Sequence, residues 1–432
     1  MKTMKYVILN KWLALIVVAG LIGGCDSIFG TKGDDTTDEI FEEGRIDPTL
    51  VPDEIGYAAL LPFWDFFDAP TDVYIGYDEL VYVTDRSGLH LLDRAGRTYY
   101  ETIELEGAVS VTQDRDLNVY VAARYDTVIT AVDSNLVWNL PAVYKFRDIN
   151  KGSPVAVDTI IHPFDDSSRP TASAQRGRLD KDSPNNHEFV EFTDVTALYD
   201  NTIYISRRGP QNITGQAAAP DNIVMEFQQD PDREEGKMRN NRLIRALSPN
   251  TPSLISAVGP GAITGLAGPP QSEDITQDRS FIIAQADTDA NIPFRVLWIN
   301  AEMTPDGLQF DPRSELLSRD TTQAEKFLYD QFRFTEPSGL AFSADDRNHI
   351  FVTDIATDSL YLFQARGVEG VNPPPGSELE RAQSVSFGGT GGGDRQFRDP
   401  SGVAYFDRIV YVADTGNNRI TRHRLNTDFE RN

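Results

Sequence analysis

The residues able to do chemistry are few in kind and unevenly placed. Five histidines, at 90, 162, 187, 349 and 423, show no pairing at metal-ligand spacing. Cys25 is the only cysteine of the sequence, so disulfides, zinc clusters and thiol catalysis are excluded for the remainder. There is no Gly-x-Ser-x-Gly elbow and no phosphate loop, because the glycine run at Gly388–Gly393 leads into a strand pattern rather than a helix. What remains is charged and sits just after short apolar runs: Arg86, Arg124 with Tyr125, Arg207 with Arg208, and Gln285. Guanidinium groups on neighbouring loops suit bidentate recognition of a carboxylate or other anion. The alternative is surface ion pairs of little energetic weight. At the same place in other runs stand Asp85, Asp354 and Asp414. An aspartate following a strand suits a structural turn cap that accepts backbone N–H groups. A calcium site would need carboxylates and amides converging from several strands, and acidic residues are too abundant here for their presence to indicate one.

These positions are set by a repeated grammar. Pro400-Ser401-Gly402-Val403-Ala404, Tyr411-Val412-Ala413-Asp414 and Asn418-Arg419-Ile420 read as strand, strand, tight turn and strand. The order recurs with Pro337-Ser338-Gly339, Phe351-Val352-Thr353-Asp354 and Leu360-Tyr361, and with Pro70-Thr71-Asp72, Tyr82-Val83-Thr84-Asp85 and Gly88-Leu89. Self-similarity over tens of residues signals a repeat architecture. The central run is found six times, around Tyr82, Tyr120, Tyr204, Ile282, Phe351 and Tyr411, and none alternates apolar with polar. Each is therefore expected to be covered on both faces, as in stacked blades.

With those residues in view, Phe397 to Ile420 resembles a complete NHL repeat, preceded by its glycine-rich lead. Residues 334–363 form a second copy and 66–92 a third, while the units between keep only the strand pattern, with Ala123, Arg207 and Gln285 in place of the motif Asp. The resemblance implies an all-β, six-bladed β-propeller of NHL or TolB-like type over residues 55–432. It implies no particular activity, since such propellers include protein-binding scaffolds, RNA binders, lyases and signalling ectodomains. The end of the second strand and the loop into the next blade share one face of the disc, which gathers the Arg and Asp positions above. Ile55 to Leu61 is apolar and belongs to no unit, so it is expected to supply the outer strand of the last blade. Insertions are expected at 141–188, as a loop or an extra strand pair around Pro154–Phe164, and near 228–260. A third is expected at 305–332, with a short helix over Thr322–Leu328.

The first residues bear on location. Lys2, Lys5 and Lys11 precede an apolar run from Trp12 to Ile22, too short to span a bilayer as a helix, ending in Ile22-Gly23-Gly24-Cys25. This looks like a lipobox. It is read as a lipoprotein signal peptide over 1–24 with Cys25 lipidated, against an ordinary signal peptide or an uncleaved anchor. Residues 25–54 form an acidic tether, with ten Asp or Glu and two basic residues from Asp26 to Glu54. That tract resembles a surface-export signal, whereas Asp26 alone resembles an inner-membrane retention signal. The expected location is the bacterial cell envelope, lipid-anchored in the outer membrane, periplasmic or surface-exposed. Without the three leader lysines the balance is 37 basic to 66 acidic residues, a net charge of −29. Phosphate backbones and anionic lipid surfaces repel such a polyanion, which excludes nucleic acid as a partner and leaves the lipid as the membrane contact. The sequence thus points to a monomeric, non-catalytic module that binds a protein, peptide or glycan on its loop face, without cofactor. The alternative is a calcium-dependent hydrolase or lyase with acidic residues in the propeller channel.

Overall fold

In the computed structural model the described residues are 45–46, 54–129, 133–163, 178–212, 220–229, 241–247, 259–269, 279–285, 287, 291–373 and 376–429. The leader, Cys25 and nearly all of the tether lie outside them. Six antiparallel sheets follow one another along the chain. Blade one comprises Asp72–Ile75, Val81–Asp85, Gly88–Leu92 and Thr98–Glu104. Blade two comprises Ser110–Gln113, Val119–Val128, Val137–Arg147 and Val155–Ile161, and blade three Glu191–Ala197, Ile203–Arg208, Ile223–Gln229 and Asn241–Leu247. Blade four has Pro260–Gly265, Phe281–Gln285, Val296–Thr304 and Gly307–Pro312, and blade five Pro337–Phe342, His349–Asp354, Ser359–Gln364 and Phe387–Gly388. Blade six has Pro400–Phe406, Ile409–Asp414 and Arg419–Leu425. The inner strands touch in cyclic order, with that of blade six against that of blade one.

The second strands are the spine of each blade. Val81–Asp85, Phe281–Gln285, His349–Asp354 and Ile409–Asp414 are buried at every position. Their continuous apolar sequence is what burial between two neighbouring sheets requires, and each such Val, Ile or Phe contributes about 2 kcal/mol. At the start of the inner strands, hydroxyl side chains tie one blade to the next. Thr71 Oγ1 donates to the Ala108 carbonyl (3.1 Å), Thr193 Oγ1 to Gly261 (3.0 Å), Ser338 Oγ to Pro400 (2.6 Å) and Ser401 Oγ back to Thr71 (2.6 Å). Glycine follows the hydroxyl in blades five and six because the next blade comes so close. A Cβ on Gly339 would lie 2.5 Å from the Ser401 carbonyl, and one on Gly402 would lie 2.6 Å from Asp72 Cα.

The ring closes as the sequence suggests. Tyr57–Leu61 pairs antiparallel with Arg419–Leu425, Tyr57 opposite Leu425 and Ala59 opposite His423. Asn426 clamps the junction, its amide donating to the Gly56 carbonyl (2.9 Å), its Oδ1 accepting from Gly56 N–H (3.2 Å) and its Nδ2 donating to Glu54 (2.6 Å).

Two insertions differ from expectation. Val155–Ile161 is no added strand pair but the outer strand of blade two, paired with Val137–Arg147 across a bulge between Ala156 and Asp158. Pro141 therefore lies inside a strand. Thr322–Leu328 is not helical. Ala324 and Phe327 are instead pulled against Val368 in a small apolar cluster, and Asp330 caps the Phe327 amide at 2.7 Å. Tertiary burial of two apolar side chains outweighs a helical propensity too short to nucleate.

Deleting residues 55–61 exposes the edge of Arg419–Leu425 and should lower the melting temperature by more than about 10 °C, with a broadened transition. A melt matching the intact chain would show that closure lies elsewhere.

Candidate binding face

The loop between second and third strands gives this face its geometry, and the residue at the end of the second strand decides how. In blades one, five and six that residue is the motif Asp. Asp85 accepts from the Asp68 amide (2.9 Å) and from the Ser87 amide (2.8 Å) and pairs with His90 Nε2 (2.8 Å). Burial works to raise its pKa, but the bonds from His90, Ser87 and Asp68 outweigh that and hold it well below the usual range. Asp354 accepts from the amides of Thr335 (2.7 Å), Glu336 (3.1 Å) and Thr357 (3.2 Å). Asp414 accepts from the Arg398 amide (2.7 Å), from Asn417 Nδ2 and from Arg419 Nε (2.7 Å).

Blades two to four depart from this arrangement. Arg124 donates to Asn139 Oδ1 (2.7 Å) and to the carbonyls of Glu188 (2.8 Å) and Val190 (3.0 Å), joining blade two to the loop that leads into blade three. Burial lowers its pKa. Tyr125 beside it packs its ring on Tyr144 at 6.2 Å between centroids. Arg207 is only 1% exposed, bonded to the carbonyls of Asp221 (2.9 Å) and Pro220 (2.9 Å) and to His162 Nδ1 (3.3 Å). Gln285 is also buried, its carbonyl accepting from Arg295. The predicted arginines therefore divide. Arg124 and Arg207 are drawn into the fold, while Arg86 stays exposed beside Asp68 (3.3 Å) and Arg208 half-exposed beside Glu191 (2.8 Å).

Nothing in the residue spacing marks any two histidines as neighbours. His162 Nε2 and His187 Nδ1 are nevertheless 2.9 Å apart in the interior, with Arg207 on the far side of His162. Arg178 forms a two-point pair with Asp221 at 2.8 Å on both nitrogens. These contacts sew the segment 178–190 onto blade three. Pro184, Phe189, Glu191, Arg208, Gly209 and Pro210 line a shallow, open crevice of about 450 Å³. Phe189 is 57% exposed, and two other phenylalanines on segments leading into inner strands, Phe66 (52%) and Phe332 (58%), are exposed as well. No single-residue signal marks these three in the sequence; their exposure follows from where each segment is anchored.

The axial channel is narrow, a cavity of about 60 Å³ lined by inner strands. Its carboxylates come from two blades, Asp72 and Asp194. Asp72 accepts from the Val111 amide of blade two (3.0 Å), Asp194 from the Ile263 amide of blade four (2.6 Å), and Ser110 also donates to Asp194. Burial raises both pKa values, and the Asp194 charge raises that of Asp72 further. Among the described residues no group of three or more His, Cys, Asp or Glu is arranged to hold a metal ion.

The sheets and their order define an all-β protein, a six-bladed β-propeller. Within it, residues 397–422 match the NHL repeat family model, the stretch whose motif is complete in the sequence. Comparison with curated proteins gives no match. Among solved structures the chain is similar to a protein of unknown function from Bacteroides thetaiotaomicron, at 13% identity over 87% of this chain and 73% of that one, TM-score 0.45. It is also similar to a gluconolactonase from Xanthomonas campestris (10%, 88% and 94%, TM-score 0.43). A third is the aldose sugar dehydrogenase from Streptomyces coelicolor in its PQQ-bound form (11%, 87% and 99%, TM-score 0.47).

A carboxyl whose folded pKa lies above its unfolded value near 4 favours the fold at low pH, and that contribution fades as pH rises through the folded pKa. Asp72→Asn keeps an acceptor for Val111 and removes the repulsion from Asp194. The variant should melt higher than wild type at pH 7.5 and no higher at pH 4. Equal shifts at both pH values would show that the two carboxylates do not share the channel as charges.

Proposed function

We propose that this propeller is a non-catalytic binding module, held in the bacterial envelope by a lipid on Cys25, that docks a protein, peptide or glycan on its loop face. The observation that carries the reading is the crevice at Phe189, Arg208 and Glu191, an exposed ring beside a half-exposed ion pair on anchored segments. Large exposed aromatics next to directional polar groups are what recognition surfaces present. The anchoring matters too. Arg124, Arg207 and the His162–His187 pair hold the crevice walls in place, which limits the ordering cost of binding. The channel supports this reading over a hydrolase or lyase. Its carboxylates already serve as acceptors for backbone amides of neighbouring blades, and its 60 Å³ admit a few waters rather than a substrate. The leader sequence supports a tethered location, and the acidic linker supplies reach between membrane and disc.

Crosslinking in intact cells followed by recovery of the chain should give a defined partner set. Phe189→Ala combined with Arg208→Glu should reduce its recovery at least about tenfold, a loss of roughly 1.4 kcal/mol or more in binding. Unchanged partners in that double variant would remove this face from consideration. In a separate measurement, Cys25→Ser should move the protein from the membrane fraction to the soluble fraction and abolish labelling by a radioactive fatty acid. A labelled or membrane-bound variant would overturn the anchor.

A further inference from the structure

A cavity with unexplained polar chemistry lies away from the loop face. First-to-second strand hairpins and third-strand ends meet on the opposite side of the disc, and there blades five and six part to leave a cleft of about 550 Å³. That volume falls in the range of small-molecule sites. One wall is apolar, from Ile55, Val371 and Leu425. The other is polar, from Asp346, Arg347, His349, Gln364 and Asp428, with Asp346, Asn372 and Thr427 exposed.

The polar wall is built rather than incidental. Arg347 grips Asp428 through both terminal nitrogens, at 2.6 and 2.7 Å. Asp345 behind it accepts from the Tyr405 hydroxyl (2.8 Å), from Ser343 Oγ (2.6 Å) and from the Arg347 amide (3.1 Å). Gln364 is fixed by Gly370 (3.0 Å) and Arg366 (2.8 Å). Against this order His349 stands out, 8% exposed with a buried Nδ1 that has no hydrogen-bond partner. An unmet buried polar atom is destabilising, because it has lost water without gaining a partner. Burial also pushes the imidazole down to about 4, so the ring is neutral at physiological pH.

The charges narrow what the cleft can take. Arg347 is already matched, so no free cation awaits an anion, and the chain as a whole carries −26. Asp428 is matched by the same pair, so the one further carboxylate of the lining is Asp346, which offers its oxygens as acceptors to hydroxyl groups but is a single charge against a polyvalent cation. Apart from the buried His349 imidazole, no aromatic ring among the described residues lines the cleft, so a planar heterocycle has little to stack on. A neutral ring with an apolar face and hydroxyls around its edge fits both walls. We propose that this cleft binds a small uncharged saccharide, one or two rings in size, against His349, Asn372 and the apolar wall from Ile55 to Leu425.

Saturation-transfer NMR on the purified full chain, with glucose, N-acetylglucosamine and maltose as probes, tests this. At least one probe should saturate, and Asn372→Ala and Thr427→Phe, both at exposed positions, should each weaken it about tenfold or more. Phe189→Ala on the other face should leave that binding unchanged, and glucuronate and spermidine should not compete. The proposal is overturned if none of the three sugars saturates, if either charged probe competes, or if binding ignores both cleft variants. Loss of sugar binding in Phe189→Ala alone would place the saccharide on the loop face instead, and would likewise overturn it.

Discussion

A hydroxyl at the head of an inner strand, bonded to a carbonyl of the next blade, is the contact on which the disc depends. Thr71, Thr193, Ser338 and Ser401 each make it, and Ser401 makes it across the seam to blade one. A sheet packed only through apolar faces can slide or rotate on its neighbour at little cost, because apolar contact is not directional. At four of the six interfaces one such hydrogen bond at the narrow end of the wedge fixes both the depth and the angle of the blade. The requirement reaches into neighbouring positions. Glycine at 339 and 402 admits the close approach, whereas Asp72 and Asp194 hold the next blade through an amide. The channel is therefore narrow and polar for reasons of assembly, and its acidic residues are read first as joints.

Much of this was legible in the residues. A run such as Val410-Tyr411-Val412, apolar without alternation and bounded by turn residues, is compatible with few environments other than burial between two sheets. Six such runs imply six blades. The orphan stretch at Ile55–Leu61 was legible by the same logic, since a ring with three strands in its last blade needs a fourth. Two features escaped. Arg207 and Arg208 are neighbours of identical type, yet one is buried and one is half-exposed, because strand alternation points them to opposite sides and the register is not written in the pair itself. His162 and His187 meet only because a loop folds back over blade three, a non-local event with no periodic signature. The turn over Thr322–Leu328 failed for a related reason: its short helical pattern lost to a tertiary contact with Val368.

The places where the motif decays obey a single chemical rule. In blades one, five and six the residue ending the second strand is an aspartate, and the turn after it is tight. Amides of that turn or of the adjacent segment point inward and need an acceptor. In blade three the connection from Arg208 to Ile223 is long, and its carbonyls at Pro220 and Asp221 point inward instead. An acceptor there would face acceptors, so the position carries a donor, Arg207. Blade two solves the same problem one residue further on, where Arg124 satisfies carbonyls at Glu188 and Val190 in another segment. Blade four reverses the parts, with Arg295 just before the third strand donating to the carbonyls of Gln285 and Asp287. The exchange of Asp for Arg or Gln is thus a change from capping a turn to anchoring a loop. A loop long enough to need such an anchor is also long enough to carry Phe189 to the surface in a fixed position, beside Arg208 at the end of its strand. In blade three the decay of the repeat and the fixed exposure of Phe189 beside Arg208 follow from the same substitution of donor for acceptor.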